Sequence, residues 1–161
     1  MWTASPAEDI AYMRVALDEA RSAADAGEVP IGAVIVVDRA ILSRGRNQRE
    51  KWQDPTAHAE MIALRAAAAE LQSWRVLDST LYVTMEPCAM CIGAAILARV
   101  KRLVFGVLDP KGGACGSMFN IPVEPRLNHR IEVVVGILEQ ESQELLQEFF
   151  RRLRQRPVKT A

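Results

Sequence analysis

The chain has 161 residues, of which 50% are hydrophobic and 25% are charged. These values exclude a disordered or collagen-like chain, and the length suits one domain over residues 1–161 that needs no disulfide to fold. The 20 basic and 20 acidic residues give a formal net charge of zero, so a strongly cationic, non-specific nucleic-acid binder is not expected.

The first elements are a helix and a hairpin. Ser5-Pro6-Ala7-Glu8 is a capping box, apolar residues follow at helical spacing, and Gly27 is expected to cap the helix end. The continuous apolar run Ile31–Val37 predicts a strand buried on both faces. The more polar segment 41–46 predicts an edge strand that pairs with it.

The rest of the chain alternates helices and strands. The predicted elements are a helix from Asp54-Pro55-Thr56 to about Leu71, a strand at 80–84, a helix from Cys88 to about Ala98, a strand at 103–107, a Gly-rich loop at 109–117, a strand at 131–135 and a helix from about Ser142 to Gln155. Strands separated by helices imply parallel pairing, whereas the hairpin is antiparallel. We therefore expect an α/β fold with a mixed five-stranded sheet.

The last helix, about 142–156, is basic towards its end. No acidic residue follows position 150, whereas the same segment contains Arg151, Arg152, Arg154, Arg156 and Lys159. The backbone dipole favours cations at a helix C-terminus, and this charge would also suit an anionic partner.

Cysteine usage and the N-terminus indicate a compartment. Three cysteines, two of them in a C-x-x-C motif, favour a metal site over disulfides. Residues 1–8 lack the basic and apolar regions of a signal peptide, and the most apolar run is too short to span a bilayer. We expect a cytoplasmic protein without membrane contact.

His58-Ala59-Glu60 and Pro87-Cys88-Ala89-Met90-Cys91 together predict a catalytic zinc site. Catalytic zinc takes three protein ligands and leaves a fourth position to water, which fits His58, Cys88 and Cys91. Cysteines three apart on a helix point about 60° apart and can share one ion. His58 is expected in the first turn of its helix, as are both cysteines.

Glu60 is predicted to move protons rather than to bind the metal. Residues two apart on a helix diverge by about 200°, so His58 and Glu60 should not both be ligands. Zinc lowers the pKa of its water to about 7, and Glu60 can pass a proton from that water to a ring nitrogen of a substrate.

Cys115 provides an alternative. As a fourth ligand it would close a structural site with three cysteines and one histidine, which has no place for water. Otherwise it is a small residue in the turn at 112–116. A C-x-x-C motif by itself also occurs in redox pairs.

The chain resembles the bacterial tRNA-specific adenosine deaminases of the cytidine deaminase-like superfamily over almost its whole length. The metal motifs are the H-x-E and P-C-x-x-C signature of zinc deaminases and indicate only the superfamily. The segments that indicate the tRNA enzymes include EVPIGAV at 28–34, DPTAHAE at 54–60, LYVTMEPC at 81–88, VFG at 104–106, KGG at 111–113, NHR at 128–130 and FFR at 149–151.

This resemblance implies a three-layer α/β/α fold and hydrolysis of adenosine to inosine at the wobble position of a tRNA anticodon. It implies one zinc ion per subunit, binding of the anticodon stem-loop, and a homodimer that completes each site from both subunits. Departures from the family pattern occur at Cys115, Pro110 and Trp52.

The resemblance also implies substrate contacts. Asn47 matches a position that holds the target nucleotide, and Ala59 matches one whose backbone faces the base. Asp109, Lys111 and Asn128 match positions in loops that hold the anticodon. Without the resemblance, the Asn and Asp residues among these are equally typical of turns.

Two other functions share these motifs. A deaminase of a free base or nucleoside, such as guanine, cytosine or cytidine, would use the same zinc chemistry. A non-enzymatic zinc-stabilised module would keep the metal ligands, and Glu60 would then be only a solvated carboxylate.

Overall fold

The computed structural model describes residues 2–157, so Lys159 of the predicted basic segment lies outside the described residues. The elements are α1 (Pro6–Asp25), β1 (Gly32–Val37), β2 (Ala40–Arg46), α2 (Arg49–Trp52), α3 (Ala59–Leu71), β3 (Ser79–Met85), α4 (Ala89–Leu97), β4 (Arg102–Val107), β5 (Glu132–Val135) and α5 (Glu139–Gln155), with a 3-10 turn at Ile121–Val123. Within residues 2–157, no helix combines the length and apolarity needed to cross a membrane.

The five strands form one mixed sheet in the order β2-β1-β3-β4-β5. Strand β1 pairs antiparallel with β2 and with β3, whereas β3, β4 and β5 are parallel. The predicted five-stranded mixed sheet is therefore confirmed, with the hairpin at one edge.

Helices cover both faces of the sheet. Alternate residues of β1 point to opposite faces, so Ala33 and Ile35 pack with α3 and α4, whereas Val34 and Val36 pack with α1. Helix α5 contacts β4 and β3 on the α1 side. The predicted three-layer α/β/α arrangement is confirmed, and it explains why β1 is apolar throughout.

The caps of α1 agree with the sequence. The Glu8 amide donates to Ser5 Oγ at 3.3 Å, and the Ser5 amide donates to Glu8 Oε2 at 2.8 Å, which completes the predicted capping box. Gly27 follows the helix with φ +81°, a conformation that residues with a Cβ rarely adopt.

The predicted start of the second long helix is wrong. Asp54 Oδ1 accepts hydrogen bonds from the Thr56 amide at 2.8 Å and the Thr56 hydroxyl at 2.7 Å, so Asp54-Pro55-Thr56 forms a turn. Helix α3 begins only at Ala59, and the short helix α2 precedes the turn. Helix α5 begins at Glu139, three residues before the predicted start.

A buried ion pair ties α1 to the parallel part of the sheet. Arg102 on β4 donates to both carboxylate oxygens of Asp9 at 2.7 and 2.8 Å, and the Tyr82 hydroxyl on β3 donates to Asp9 at 2.7 Å. The side chains of Arg102 and Asp9 are 8% and 5% exposed. Because both charges are desolvated, each depends on the other.

We expect Asp9→Ala to lower the free energy of unfolding by about 3–5 kcal/mol, because it removes both hydrogen bonds of the buried Arg102 to Asp9 and leaves only the exposed Glu132, 3.5 Å away, as an ion partner. The measurement is urea denaturation. Asp18→Ala is the control, since the Asp18–Arg21 pair is exposed and should contribute less than about 1 kcal/mol. If Asp9→Ala lowers the free energy of unfolding by less than about 1 kcal/mol, the buried ion pair does not stabilise the fold as inferred.

Candidate active site

The N-terminal ends of α3 and α4 meet on one face of the sheet. His58 is the N-cap of α3 and Cys88 is the N-cap of α4, both with extended backbone, and Cys91 is the third residue of α4. The sequence predicted His58 and Cys88 within the first turn, whereas each is the residue that caps its helix.

Strand β2 packs closely on the first turn of α3. A Cβ at Gly45 would lie 2.2 Å from the Ala59 carbonyl oxygen and 2.8 Å from the Ala63 amide nitrogen. Only glycine allows this approach, which holds the first turn of α3 against the hairpin.

The spacing of the three side chains fits a tetrahedral metal ion. His58 Nδ1 lies 3.7 Å from Cys88 Sγ and 3.4 Å from Cys91 Sγ, and the three atoms lie within 4.8 Å of one another. Tetrahedral zinc bonds of 2.0–2.3 Å place a ligand nitrogen and sulfur about 3.5 Å apart. His58, Cys88 and Cys91 can therefore hold one such ion.

The two thiols differ in acidity, because the hydrogen bond between them and burial raise the pKa of Cys91. The hydrogen bond with Cys91 lowers the pKa of the Cys88 thiol to about 3, which outweighs its burial, and the His58 ring acts in the same direction. The hydrogen bond between His58 and Cys88 raises the pKa of the His58 ring. Cys88 is therefore a thiolate at neutral pH, which is the form that binds metals.

Glu60 lies beside this group and is 4% exposed. Burial raises the pKa of Glu60 to about 7, against smaller lowering effects from the backbone amide and from His58. A carboxyl group with a pKa near neutrality can both accept and release a proton, as general acid–base catalysis requires.

A cleft of about 180 Å³ opens onto His58 and Glu60. Three of the predicted substrate-contact residues line it, namely Asn47, Ala59 and Asp109, together with Ile31 and Arg49. Asn47 is 3% exposed; its side chain donates to the Val29 carbonyl at 3.3 Å and accepts from the Arg49 amide at 3.3 Å.

The other two predicted contact residues do not line this cleft. The Lys111 side chain borders a groove of about 480 Å³ against α5, next to Phe150 and Arg154. Asn128 is exposed, and its Oδ1 accepts a hydrogen bond from Arg99 at 3.3 Å.

Cys115 is buried but does not join the metal group. Its Sγ lies 3.8 Å from the Pro87 carbonyl oxygen. Among the residues that the structure describes, His58, Cys88 and Cys91 are the group placed to share an ion, and Cys115 is not in it. This geometry does not support a closed site with four protein ligands.

Sequence reasoning missed Glu86, which holds the loop at 109–117. Its carboxylate accepts the amides of Asp109 at 2.8 Å and of Cys115 and Ser117 at 3.0 Å, and also the Ser117 hydroxyl. A Cβ at Gly113 would lie 2.3 Å from the Glu86 carboxylate. A carboxylate directly after a buried strand was the available signal.

Comparison with known proteins agrees with this geometry. The MafB19-like deaminase family matches the chain over residues 7–154. The tRNA-specific adenosine deaminase of Bacillus subtilis (strain 168) is 49% identical over 149 residues, covering 92% of each chain. That of Aquifex aeolicus (strain VF5) is 47% identical, covering 89% of this chain and 94% of its own.

Solved structures are similar as well. One from a study of A-to-I editing by tRNA:A34 deaminases at the wobble position of transfer RNA has a TM-score of 0.82 and 44% identity, covering 84% of this chain and 99% of that one. A guanine deaminase from Nitrosomonas europaea has a TM-score of 0.73 and 26% identity, covering 92% and 86%.

The sheet, the two meeting helix ends and the family match define a deaminase of the MafB19-like class. Within that class, identities of 47–49% to tRNA-specific adenosine deaminases over nearly the whole chain indicate the family. The chain belongs to the tRNA-specific adenosine deaminase family.

We expect Glu86→Gln to lower the free energy of unfolding at pH 7 by about 2–4 kcal/mol, because an amide cannot accept all the hydrogen bonds that the carboxylate accepts. Although burial raises the pKa of Glu86, its hydrogen bonds lower it below 4.5 overall. The stabilisation is therefore complete above about pH 4.5 and is lost as the pH falls through the lowered value.

Urea denaturation of both proteins between pH 3 and pH 7 measures this difference. Glu124→Gln is the control, since Glu124 pairs only with the exposed Arg126. If the difference in the free energy of unfolding between the unsubstituted protein and Glu86→Gln grows as the pH falls, the Glu86 carboxylate is not the group that stabilises the loop.

Proposed function

We propose that the chain is a single zinc-dependent deaminase domain over residues 1–161. In this proposal it converts adenosine to inosine at the wobble position of a tRNA anticodon. The observation that carries the proposal is the group of His58, Cys88 and Cys91 beside the buried Glu60. The relatives named as tRNA-specific adenosine deaminases, at up to 49% identity, support the choice of substrate.

In this proposal His58, Cys88 and Cys91 hold one zinc ion per subunit. Two sulfurs and one imidazole are the ligand types that zinc prefers. When bound, the ion supplies Lewis acidity and lowers the pKa of a water to about 7. Thiols that must stay available to a metal fit the reducing cytoplasm, where we place the enzyme.

Glu60 carries the protons of the reaction. It accepts one proton from the attacking water and donates it to a ring nitrogen of the adenine. It then takes the second proton from the hydroxyl group that the water has added to the ring carbon and delivers it to the amine, which leaves as ammonia. Adenosine and water thus give inosine and ammonia. Asn47 and Ala59, which line the cleft, would hold the target nucleotide.

The remaining substrate contacts lie around the cleft. Asp109 lines its wall, and we propose that Lys111 and Asn128 contact the anticodon loop outside it. Arg154 on α5 lies in the same groove as Lys111. The two positive charges would attract the RNA backbone.

We also propose that the chain functions as a homodimer. The outer face of α4 is apolar and uncovered within residues 2–157: Leu97 is 69% exposed, and a Cβ at Gly93 would meet nothing within 4 Å. Exposed apolar helix faces of this kind indicate protein–protein interfaces. Most soluble oligomers are symmetric assemblies of identical chains, so a second copy of this chain is the expected partner.

Purified protein should contain about one zinc ion per chain, measured by elemental analysis. We expect Cys91→Ala to lose most of this zinc, because two ligands hold it poorly. Cys115→Ala is the matched control and should retain it. Loss of zinc from Cys115→Ala would instead indicate a closed structural site.

An anticodon stem-loop with adenosine at the wobble position should be converted to inosine, measured by mass spectrometry. Glu60→Ala should lower the rate by about 10²–10⁴-fold and keep its zinc, because only the proton transfer is removed. Glu70→Ala, an exposed residue of the same helix, is the control.

Three outcomes would contradict this function. Zinc-loaded protein that leaves the stem-loop unchanged would refute the choice of substrate. Turnover of free guanine or cytidine alone would favour a deaminase of small molecules. Full activity of Glu60→Ala would refute its assigned role.

Leu97→Glu should shift the protein from dimer to monomer in light scattering, because it places a charge in an apolar interface. Leu153→Glu is the control, since Leu153 is 47% exposed on α5, on the other side of the sheet. Dissociation by Leu153→Glu alone would place the interface on α5.

A further inference from the structure

Arg49 lines the cleft, and no carboxylate pairs with its positive charge within residues 2–157. It lines the cleft beside His58 and Glu60, and it also lines an adjoining surface hollow of about 280 Å³ next to Gln53. Its guanidinium forms no hydrogen bond or ion pair within residues 2–157. Of the described residues that line the cleft, it is the only Lys or Arg.

The carboxylates that line the cleft and the adjoining hollow, Glu60 included, form no ion pair with Arg49 within residues 2–157. The carboxylates of Glu28, Asp54 and Asp109 accept hydrogen bonds from backbone amides. Glu50 is the next residue along the chain, is exposed, and makes no ion pair with Arg49 in the described structure. The guanidinium therefore remains available to a ligand.

The backbone that carries Arg49 is firmly placed. The buried Glu28 carboxylate accepts the amides of Glu50 at 3.2 Å and Lys51 at 2.7 Å, which anchors α2. The Arg49 amide donates to Asn47 Oδ1, on the floor of the cleft. An anchored backbone loses less freedom when its side chain binds a ligand.

We propose that Arg49 binds a phosphate next to the target nucleotide. It thereby selects a nucleotide within an RNA chain over a free nucleoside or base. This inference rests on the proposed function. A nucleotide inside a chain has phosphates on its 5′ and 3′ sides, whereas a nucleoside or base has none. The planar guanidinium matches phosphate oxygens in a bidentate manner.

The experiment combines an Arg49→Ala substitution with neutral phosphates in the RNA. Stem-loops with a methylphosphonate either 5′ or 3′ of the wobble adenosine are compared with the native stem-loop, and both KM and kcat are measured. Lys51→Ala is the matched control, because it removes an exposed cation of the same short helix that does not line the cleft. Zinc content and circular dichroism verify each variant.

For the unsubstituted protein, one of the two methylphosphonates should raise KM about 10- to 100-fold, the loss expected for one charge-assisted contact. Arg49→Ala should raise KM for the native stem-loop similarly and should be nearly insensitive to the same methylphosphonate. Its kcat should change little, and Arg49→Lys should recover part of the affinity. Lys51→Ala should keep the full methylphosphonate penalty.

Two results would overturn the inference. One is an unchanged KM of Arg49→Ala, and the other is a methylphosphonate penalty that is as large in Arg49→Ala as in the unsubstituted protein. If the unsubstituted protein converts the native stem-loop, either result refutes only the role of Arg49. If it converts no stem-loop, the proposed function fails, and this inference fails with it.

Discussion

The buried carboxylate of Glu86 joins the end of β3 to the loop at 109–117, and the shape of the cleft follows from that junction. Glu86 directly precedes Pro87 and Cys88, the N-cap of α4, so its hydrogen bonds tie the start of this helix to the loop. On the loop side, its hydrogen bonds place Asp109 at the cleft wall. Gly113 pairs with Cys88 in an isolated bridge, which only a residue without a Cβ permits here. One carboxylate thus contacts the loop that carries Asp109 and lies close to Cys88 in the chain.

Local patterns predicted the features that depend on neighbouring residues. The apolar run of β1 predicted burial on two faces, and helices cover both. The capping box at Ser5 depends on four adjacent residues and is present. Cys88 and Cys91 are three apart at the start of one helix, so their sulfurs were expected close together, and they are, although Cys88 is the N-cap rather than a helical residue. His58 joins them from another element, and its inclusion depended on knowing which residues zinc prefers.

Other features could not be read from the local sequence pattern. Asp54 suits a helix cap and an Asx turn equally, and only the bond to Thr56 decides between them. Lys111 borders a groove against α5, and the residues of α5 that line this groove lie more than thirty positions further along the chain. Glu86 and Arg49 have no motif of their own. The role of Glu86 depends on the hydrogen-bond donors that the fold brings to its carboxylate. The role of Arg49 depends on the lack of a partner for its guanidinium within the described residues.

The N-caps of α3 and α4, His58 and Cys88, link the order of the first helical turns to metal binding. A side chain at a helix N-cap usually accepts a backbone amide and stabilises the helix by about 1 kcal/mol. Within the described structure, His58 and Cys88 make no such bond, since both side chains face the metal group. Two helix starts therefore lack their usual stabilisation. A bound ion would replace it, so the first turns of both helices should be the parts of the fold whose rigidity depends most on metal supply.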